Sequence, residues 1–598
     1  MSVDTDIIEP TTAGTLSGLF RLRVARTPDR CAYRYYSSSE RLWRDVTWAE
    51  AGQEVARWQA ALQREGCQRG DRVAIMLNNC CEWVWFEQAA LGLGLVVVPL
   101  YVNDRPDNVA YIIGDAGARV LLLRGNEQWR QLGAVRSDLA HLQRIVTLEP
   151  VDDNAASNMT HIAAWLTVTP GALARDPSAP NDLCTIVYTS GTTGRPKGVM
   201  LSNHNILWNA RSAMRSVVCR GDDVFLSFLP LSHTLERTAG HYLPMMAGAT
   251  VAYARSIALL AEDLITIKPT VLISVPRIFE RIAMKVRNSL AEKGGVTPLL
   301  FEAAVHVGWD EFLHQQKRGP WHAAALAWPF LQSVVADKLL GKLGGRVRVA
   351  VCGGAPLSAP VARLFLGLGL PLVQGYGMTE TSPIVSVNAL DDNDPLSVGR
   401  PLGDVEVRIG EQQELLVRSP GVMLGYWNNA DTTRAMIDRD GWLHTGDQAR
   451  IDHDHIYITG RLKEIIVLAN GEKVPPADME AAILQDPLFD QAMVIGEGKP
   501  YLAALVVVNQ ERWHAYAASL HVADDAALCR DKRAQAHALE RIAAQLHEFP
   551  GYAQIRNVAL QLQPWTVENE LLTPTLKLRR SRIIEQFAAD IEQLYVGH

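Results

Sequence analysis

"DRVAIMLNNCCEWVWFEQAALGLGLVVVPLYVNDRPDNVAYIIGDAGARVLLL", residues 71–123, switches repeatedly between two hydrophobic periods, and that switching decides the architecture. "DRVAIML" reads as a strand, "EWVWFEQAALGLG" as an amphipathic helix closed by glycine, "LVVVPLY" as a strand, "PDNVAYIIGDAG" as a second helix and "ARVLLL" as a third strand. Strands alternating with helices predict a parallel sheet carrying helices on both faces. The pattern returns at "KPTVLISVPRIFERI" and at "GGRVRVAVCGGAPLSAPVARLFLGLGLPLVQGYG". From about Val398 the texture changes to short alternating strands with turns ("DVEVRIG", "ELLVRS", "HIYITG"), which predicts a small β-rich subdomain over 398–462. Beyond it, "QAMVIG" and "YLAALVVV" with their flanking helices predict an α+β unit. The expectation is an α/β protein: a large amino-terminal domain, residues 1–462, of doubly wound parallel-rich sheets, then a small carboxy-terminal α+β domain, residues 463–598.

Bulk composition is compatible with this. A chain of 598 residues with 48% apolar content can bury more than one core. The net charge of -7 comes from interspersed acids and bases, so no basic face for nucleic acid is expected. The eight cysteines lack the paired spacing of a zinc site or a disulfide framework and read mostly as core thiols of a reducing compartment. The amino terminus carries acids where a signal peptide carries bases. The most apolar runs, Ala89–Val98 and Ala323–Leu331, reach about half the length of a spanning helix. A cytoplasmic protein is expected.

Chemistry concentrates first in "YTSGTTGRPKGVMLSNHN", residues 188–205. Gly191, Gly194 and Gly198 allow tight turns and close approach, while Thr189, Ser190, Thr192 and Thr193 offer hydroxyls beside backbone amides, a cradle suited to phosphate. Lys197 adds a point charge. The place of the second P-loop glycine is taken by Pro196, so this is a different phosphate loop. The alternative is a polar surface loop between the strand "CTIVYT" and the helix "NHNILWNARSAM".

"YTSGTTGRPKGV" resembles the signature loop of the AMP-forming acyl and aryl adenylating enzymes. The resemblance extends through "LPLSHTLERT", "GGAPLS", "QGYGMTETSP", "GWLHTGD", "GRLKEIIVLANGEKVPP" and "LLTPTLKLRR", in the family's order. It implies ATP, magnesium (Mg2+) and coenzyme A as co-substrates and cofactor, and assigns a role to each motif. Glu380 is a hard oxygen ligand suited to magnesium, which Thr189 would share. Tyr376 would stack on adenine, with Gln374, Gly375, Gly377 and Thr379 beside it at the carboxyl ends of the strands. Gly353, Gly354 and Ala355 would let the purine lie against the backbone; alternatively they form a plain turn. Asp447 would hold the ribose with Arg461, or simply occupy a turn. Lys463 would be the hinge between the domains, or an exposed loop lysine.

Lys577 is assigned by the resemblance to a mobile carboxy-terminal loop, where it would meet the reacting carboxylate and the α-phosphate. Leu576 departs from the glycine that commonly precedes that lysine. On charge grounds alone, Lys577 with Arg579 and Arg580 reads as a solvated basic end. His233 would gate the acyl site, the alternative being a core or capping histidine. "SHTLERT", "SVPRIFERI" and "TVENELLTPTLKLRR" resemble the long-chain fatty acyl-CoA synthetase branch specifically. The segment 287–343, with Trp309, Trp321 and Trp328, is expected either to line a fatty-acid site or to pack as an ordinary helical excursion. The implied partners are a fatty acid and coenzyme A; peripheral contact with the inner face of a membrane and a homodimer stay open. A carrier-protein acceptor, an aryl or shorter acid, and a nucleotide-binding regulator without turnover are the rival readings.

Overall fold

The computed structural model describes residues 6–151, 156–167, 171–174, 176–189, 195–293, 295–519 and 525–596. The opening stretch folds as strands Arg72–Met76, Val96–Pro99 and Ala118–Leu123, joined by helices Cys81–Gly92 and Pro106–Ala116. These strands pair in parallel within an eight-stranded sheet whose order runs Gly425–Tyr426, Lys197–Ser202, Leu183–Thr189, Val96–Pro99, Arg72–Met76, Ala118–Leu123, Arg144–Thr147, Met159–His161. A second, nine-stranded sheet contains the parallel strands Thr250–Tyr253, Val224–Ser227, Val271–Ser274, Val349–Cys352 and Leu372–Gly377. Both sheets carry packed apolar side chains on both faces, as doubly wound sheets require.

One correction concerns the helix Cys81–Gly92. It is not amphipathic: Trp83, Val84, Phe86, Ala89 and Ala90 are fully buried, and so are the polar Glu87 and Gln88. A helix packed between two sheets has no solvent face, so its polar residues must find partners inside. The helix Asn203–Ser216 packs in the same central core and starts from Ser202, whose hydroxyl accepts from Asn205 N at 3.1 Å in a capping box.

The predicted β-rich region is a four-stranded antiparallel sheet of Glu406–Ile409, Glu414–Arg418, Leu443–Asp452 and His455–Arg461. From Ile466 onward the chain builds two apolar clusters of its own, one on each face of the sheet Phe489–Ile495, Leu502–Val508, Ile555–Gln561. The central strand of that sheet is buried along its whole length. Segment 287–343 packs on the outer face of the nine-stranded sheet, where Trp309 and Trp328 join the cluster around Phe279 and Phe365, while Trp321, Leu326 and Phe330 are exposed. No helix among the described residues is long and apolar enough to cross a membrane.

Candidate active site

The carboxyl ends of the parallel strands of the nine-stranded sheet open onto a cavity of about 550 Å³ whose lining changes from charged to apolar along its length. Its charged end is assembled from remote parts of the chain. Thr189 and Lys197 come from the paired strands Leu183–Thr189 and Lys197–Ser202, and Ser190, Gly191, Thr192, Thr193 and Gly194 between them lie outside the described residues. The hairpin's base is anchored where Tyr188 OH donates to Asp115 Oδ2 at 2.6 Å and Trp427 Nε1 donates to Asp115 O at 2.9 Å.

Glu380 follows the strand Leu372–Gly377 and is buried, its Oε1 accepting from Tyr426 OH at 2.8 Å. Lys197 Nζ stands 5.4 Å from the centre of the same tyrosine ring, so Tyr426 joins Lys197 to Glu380. Burial pushes the Glu380 carboxyl up, and the Tyr426 hydroxyl with the charges of Lys197 and Arg461 pulls it back. Glu380 and Thr189 both line the cavity, and one carboxylate with one hydroxyl is a donor set that suits magnesium, which takes one or two protein oxygens and completes its shell with phosphate and water.

Gly375, Tyr376, Gly377 and Thr379 line the cavity as expected. Gly377 admits no side chain, because a Cβ there would stand 2.0 Å from Pro383 O. Tyr376 OH donates to Asp447 Oδ2 at 2.6 Å and Arg461 Nε donates to Asp447 Oδ1 at 2.8 Å, so Asp447 stands behind these two residues. Their fourteen-residue separation is a hairpin register: Asp447 lies opposite Arg461 across the strands Leu443–Asp452 and His455–Arg461. Gly353 and Gly354 line the cavity, Gly354 with a left-handed φ of 81°, whereas Ala355 is exposed outside it. Gln374 also stands back: its Oε1 accepts from Leu357 N at 3.0 Å and braces the turn that follows the glycines.

Lys463 and Lys577 complete the charged end. Lys577 is presented by a tight loop in which Thr573 N donates to Lys577 O at 2.8 Å and Lys577 N donates to Thr573 Oγ1 at 3.1 Å. Leu576 holds φ at 61°, the left-handed conformation that explains why glycine suits this position. Lys577 lines the cavity; burial and the nearby Arg461 charge lower its pKa against the carboxylates of Asp447, Glu464 and Glu380. The following residues are no solvated basic end, since Arg580 is mostly buried and paired with Glu480. Arg105 Nη2 meets Glu570 Oε1 at 2.7 Å and ties this carboxy-terminal loop region to the amino-terminal sheets.

His233 lies where the charged and apolar parts meet. Its Nδ1 accepts from Leu235 N at 3.2 Å, which leaves the proton on Nε2. Burial, followed by the Lys577 ammonium, pushes its pKa down to about 4. The imidazole is therefore neutral at pH 7. In an NMR titration its ring resonances should hold steady between about pH 7 and pH 5, and Lys577→Ala should raise the midpoint by removing a like charge. A wild-type midpoint at the ordinary 6.5 would contradict this environment.

Beyond His233 the lining is apolar. Leu235, Ala239 and Leu243 come from the wide π-helical turn Glu236–Tyr242 and its flanks, Ala213 and Val217 from the end of the helix Asn203–Ser216, and Phe225, Val271 and Val349 from the strands. No described residue of segment 287–343 belongs to this lining, and of its two expected roles the described residues show packing. Sequence reading also missed Tyr426 and the pair Glu414 and His444, whose Nδ1 stands 2.8 Å from Glu414 Oε2 at the cavity wall. Tyr426 has no local signal; it reaches Glu380 only because Gly425–Tyr426 pairs with Val199–Met200.

Known proteins share this fold. Residues 20–427 match the model for the AMP-binding enzyme family and residues 463–598 the model for the AMP-binding enzyme C-terminal domain. A long-chain-fatty-acid–CoA ligase of Mycobacterium bovis is 33% identical over 566 residues, 93% of each chain. A peroxisomal long chain acyl-CoA synthetase of Arabidopsis thaliana is 31% identical, covering 92% of this chain and 81% of the relative. Among solved structures, the adenylation domain of a carboxylate reductase from Mycobacterium chelonae superposes with a TM-score of 0.74 at 22% identity, over 98% of this chain and 93% of that one. ATP-bound MatB from Rhodopseudomonas palustris gives 0.69 at 22% identity, over 96% and 99%. With the charged cavity, the strand ends that frame it and the matched length taken together, the chain belongs to the AMP-binding enzyme family.

Proposed function

We propose that the protein activates a long-chain fatty acid with ATP and transfers the acyl group to coenzyme A. The observation that carries this reading is one cavity with Lys577, Glu380, Lys197 and Arg461 at one end and a continuous apolar lining from Leu235 to Val349 behind it. In the first step a carboxylate oxygen of the acid attacks the α-phosphorus of ATP. The new oxygen–phosphorus bond forms as the bond to the bridging oxygen breaks, and pyrophosphate leaves. Lys577 steadies the negative charge that builds on the oxygens around phosphorus, and Lys197 holds the outer phosphates. Magnesium, when bound, neutralises charge on those phosphates. In the second step the coenzyme A thiol loses its proton to solvent, sulfur attacks the acyl carbonyl, and AMP departs with the electron pair of the broken carbon–oxygen bond. Lys577 serves the first step only, and the carboxy-terminal domain rotates about Lys463 between the two.

A pyrophosphate-release screen over acids from acetate to arachidate, with and without coenzyme A, tests the reading. Palmitate is expected to exceed acetate and benzoate, and acyl-CoA to appear only with coenzyme A. Wild-type protein giving no acid-dependent pyrophosphate would sink the activity. A best rate on benzoate would keep adenylation and remove the long-chain substrate.

A further inference from the structure

The apolar part of the cavity ends at a specific device. Along each of three neighbouring strands, alternate residues face the cavity: Phe225 on one, Val271 and Ile273 on the next, Val349 and Val351 on the third. Phe225 lies opposite Val271, and Val271 opposite Val349, so these residues form one row at the amino ends of the strands. From Gly353 at the charged end to Val349 in that row the strand covers about 13 Å at ~3.3 Å per residue. Past the row the lining consists of Val217, Val218 and Cys219, the turn that follows the helix Asn203–Ser216.

That turn is fastened from below. Asp223, Thr270 and Arg348 each immediately precede one of the three strands, and they bond to one another beneath the row. Arg348 Nε donates to Asp223 Oδ1 at 2.7 Å, and Thr270 Oγ1 donates to the same oxygen at 2.7 Å. Arg348 Nη2 donates to Val218 O at 2.7 Å, and Arg220 N donates to Asp223 Oδ2 at 2.7 Å, so both sides of Cys219 are held to the sheet edge. Asp223 is buried, while Val218 is half exposed, so the far side of this turn is solvent. A guanidinium fixed to a buried carboxylate is a stiff support, because breaking it strands a charge in the interior.

We infer that the Val217–Cys219 turn is the end-stop of the acyl channel and that Arg348, through its bond to Val218 and its pair with Asp223, is the positioning residue that sets the longest acid the channel accepts. The inference rests on the fatty-acid reading above. An acid that ends short of the turn never touches it; a longer one must push it outward against the Arg348 clamp.

The test measures kcat and KM for octanoate, palmitate and arachidate in pyrophosphate release by the full chain. Arg348→Ala should raise the arachidate-to-palmitate ratio of kcat/KM by about tenfold, the scale of one or two methylenes admitted to an apolar site. The change should appear in KM with octanoate kinetics unaltered. Arg348→Lys, which keeps the charge on Asp223, should restore much of the wild-type ratio. Val217→Phe should shift preference the other way, with the octanoate-to-palmitate ratio rising about tenfold or more. Octanoate turnover reports that each variant is folded, and if Arg348→Ala fails that control, Val217→Phe decides. Unchanged ratios in folded variants would overturn the end-stop while leaving fatty-acid activation intact. A wild type inactive on palmitate would instead refute the function on which the inference rests.

Discussion

Lys577→Ala should slow acyl-adenylate formation by about 10²–10³-fold, the usual cost of removing one preorganised donor from a charge-building centre. Lys577 is expected to matter this much because it lines the same cavity as His233, Glu380 and Arg461 although nearly two hundred residues of sequence separate it from Glu380. Its loop is held in shape by Thr573 and docked by the Arg105–Glu570 pair, so the ammonium is positioned before substrate arrives. The same variant should retain thioester formation from supplied acyl-adenylate and coenzyme A, since that step makes and breaks bonds at the acyl carbon and none at phosphorus. Measuring the two half-reactions separately decides the matter. Equal losses in both would refute a role confined to the first step, and a loss in neither would remove Lys577 from the chemistry.

The second large effect concerns stability. Glu87→Ala should cost about 3–5 kcal/mol, the range for breaking a buried ion pair from one side. Glu87 is fully buried at the centre of the helix between the sheets and accepts from Arg237 Nε at 2.6 Å and Tyr242 OH at 2.6 Å, with His241 Nε2 at 3.2 Å. Arg237 Nη1 goes on to donate to Thr185 Oγ1 at 2.7 Å, in the strand that ends at Thr189. Truncating Glu87 leaves the Arg237 charge buried without a counter-charge. Denaturant unfolding of Glu87→Ala, of Arg237→Met and of the double variant measures the coupling. The double variant should recover most of the loss, and a single-variant cost below about 1 kcal/mol would contradict the pairing.

The sign of the pH dependence follows from the same residues. Burial alone would raise the Glu87 pKa, but the Arg237 charge and the His241 and Tyr242 contacts outweigh it and hold the carboxyl at about 2, below its ordinary 4.5. A carboxyl lowered on folding contributes stability above its unfolded pKa and loses it as pH falls. Wild-type stability should therefore drop between about pH 4.5 and pH 2, more steeply than in Glu87→Ala.

The alternation of periods in residues 71–123 was enough to place parallel sheets with helices on both faces, because a strand and a helix leave different spacings of apolar residues. It misjudged the helix Cys81–Gly92, since a helix with no solvent face carries no amphipathic stripe, and Glu87 gives no local sign of the arginine it meets 150 residues away. Lys197, Glu380, Arg461 and Lys577 were legible through motifs that resemble a known family, while the pairing of Asp447 with Arg461 across a hairpin came from the structure. Tyr426 and Glu414 were not legible, because they reach the site by strand pairing between remote segments, and His444, although inside "GWLHTGD", meets Glu414 only through that pairing.

The sequence by itself determined the fold class, which depends on short-range period, and the resemblance of its motifs named the candidate charged residues; the hairpin Leu183–Thr189/Lys197–Ser202 came from the structure. Tertiary structure alone decided which apolar residues form the channel and where it stops. Phe225, Val271 and Val349 become neighbours only through the parallel register of strands scattered over more than a hundred residues, and the side of each strand that faces the cavity is set by what packs against the other side. Packing on both faces makes such strands uniformly apolar, which erases from the sequence the very alternation that would reveal the lining.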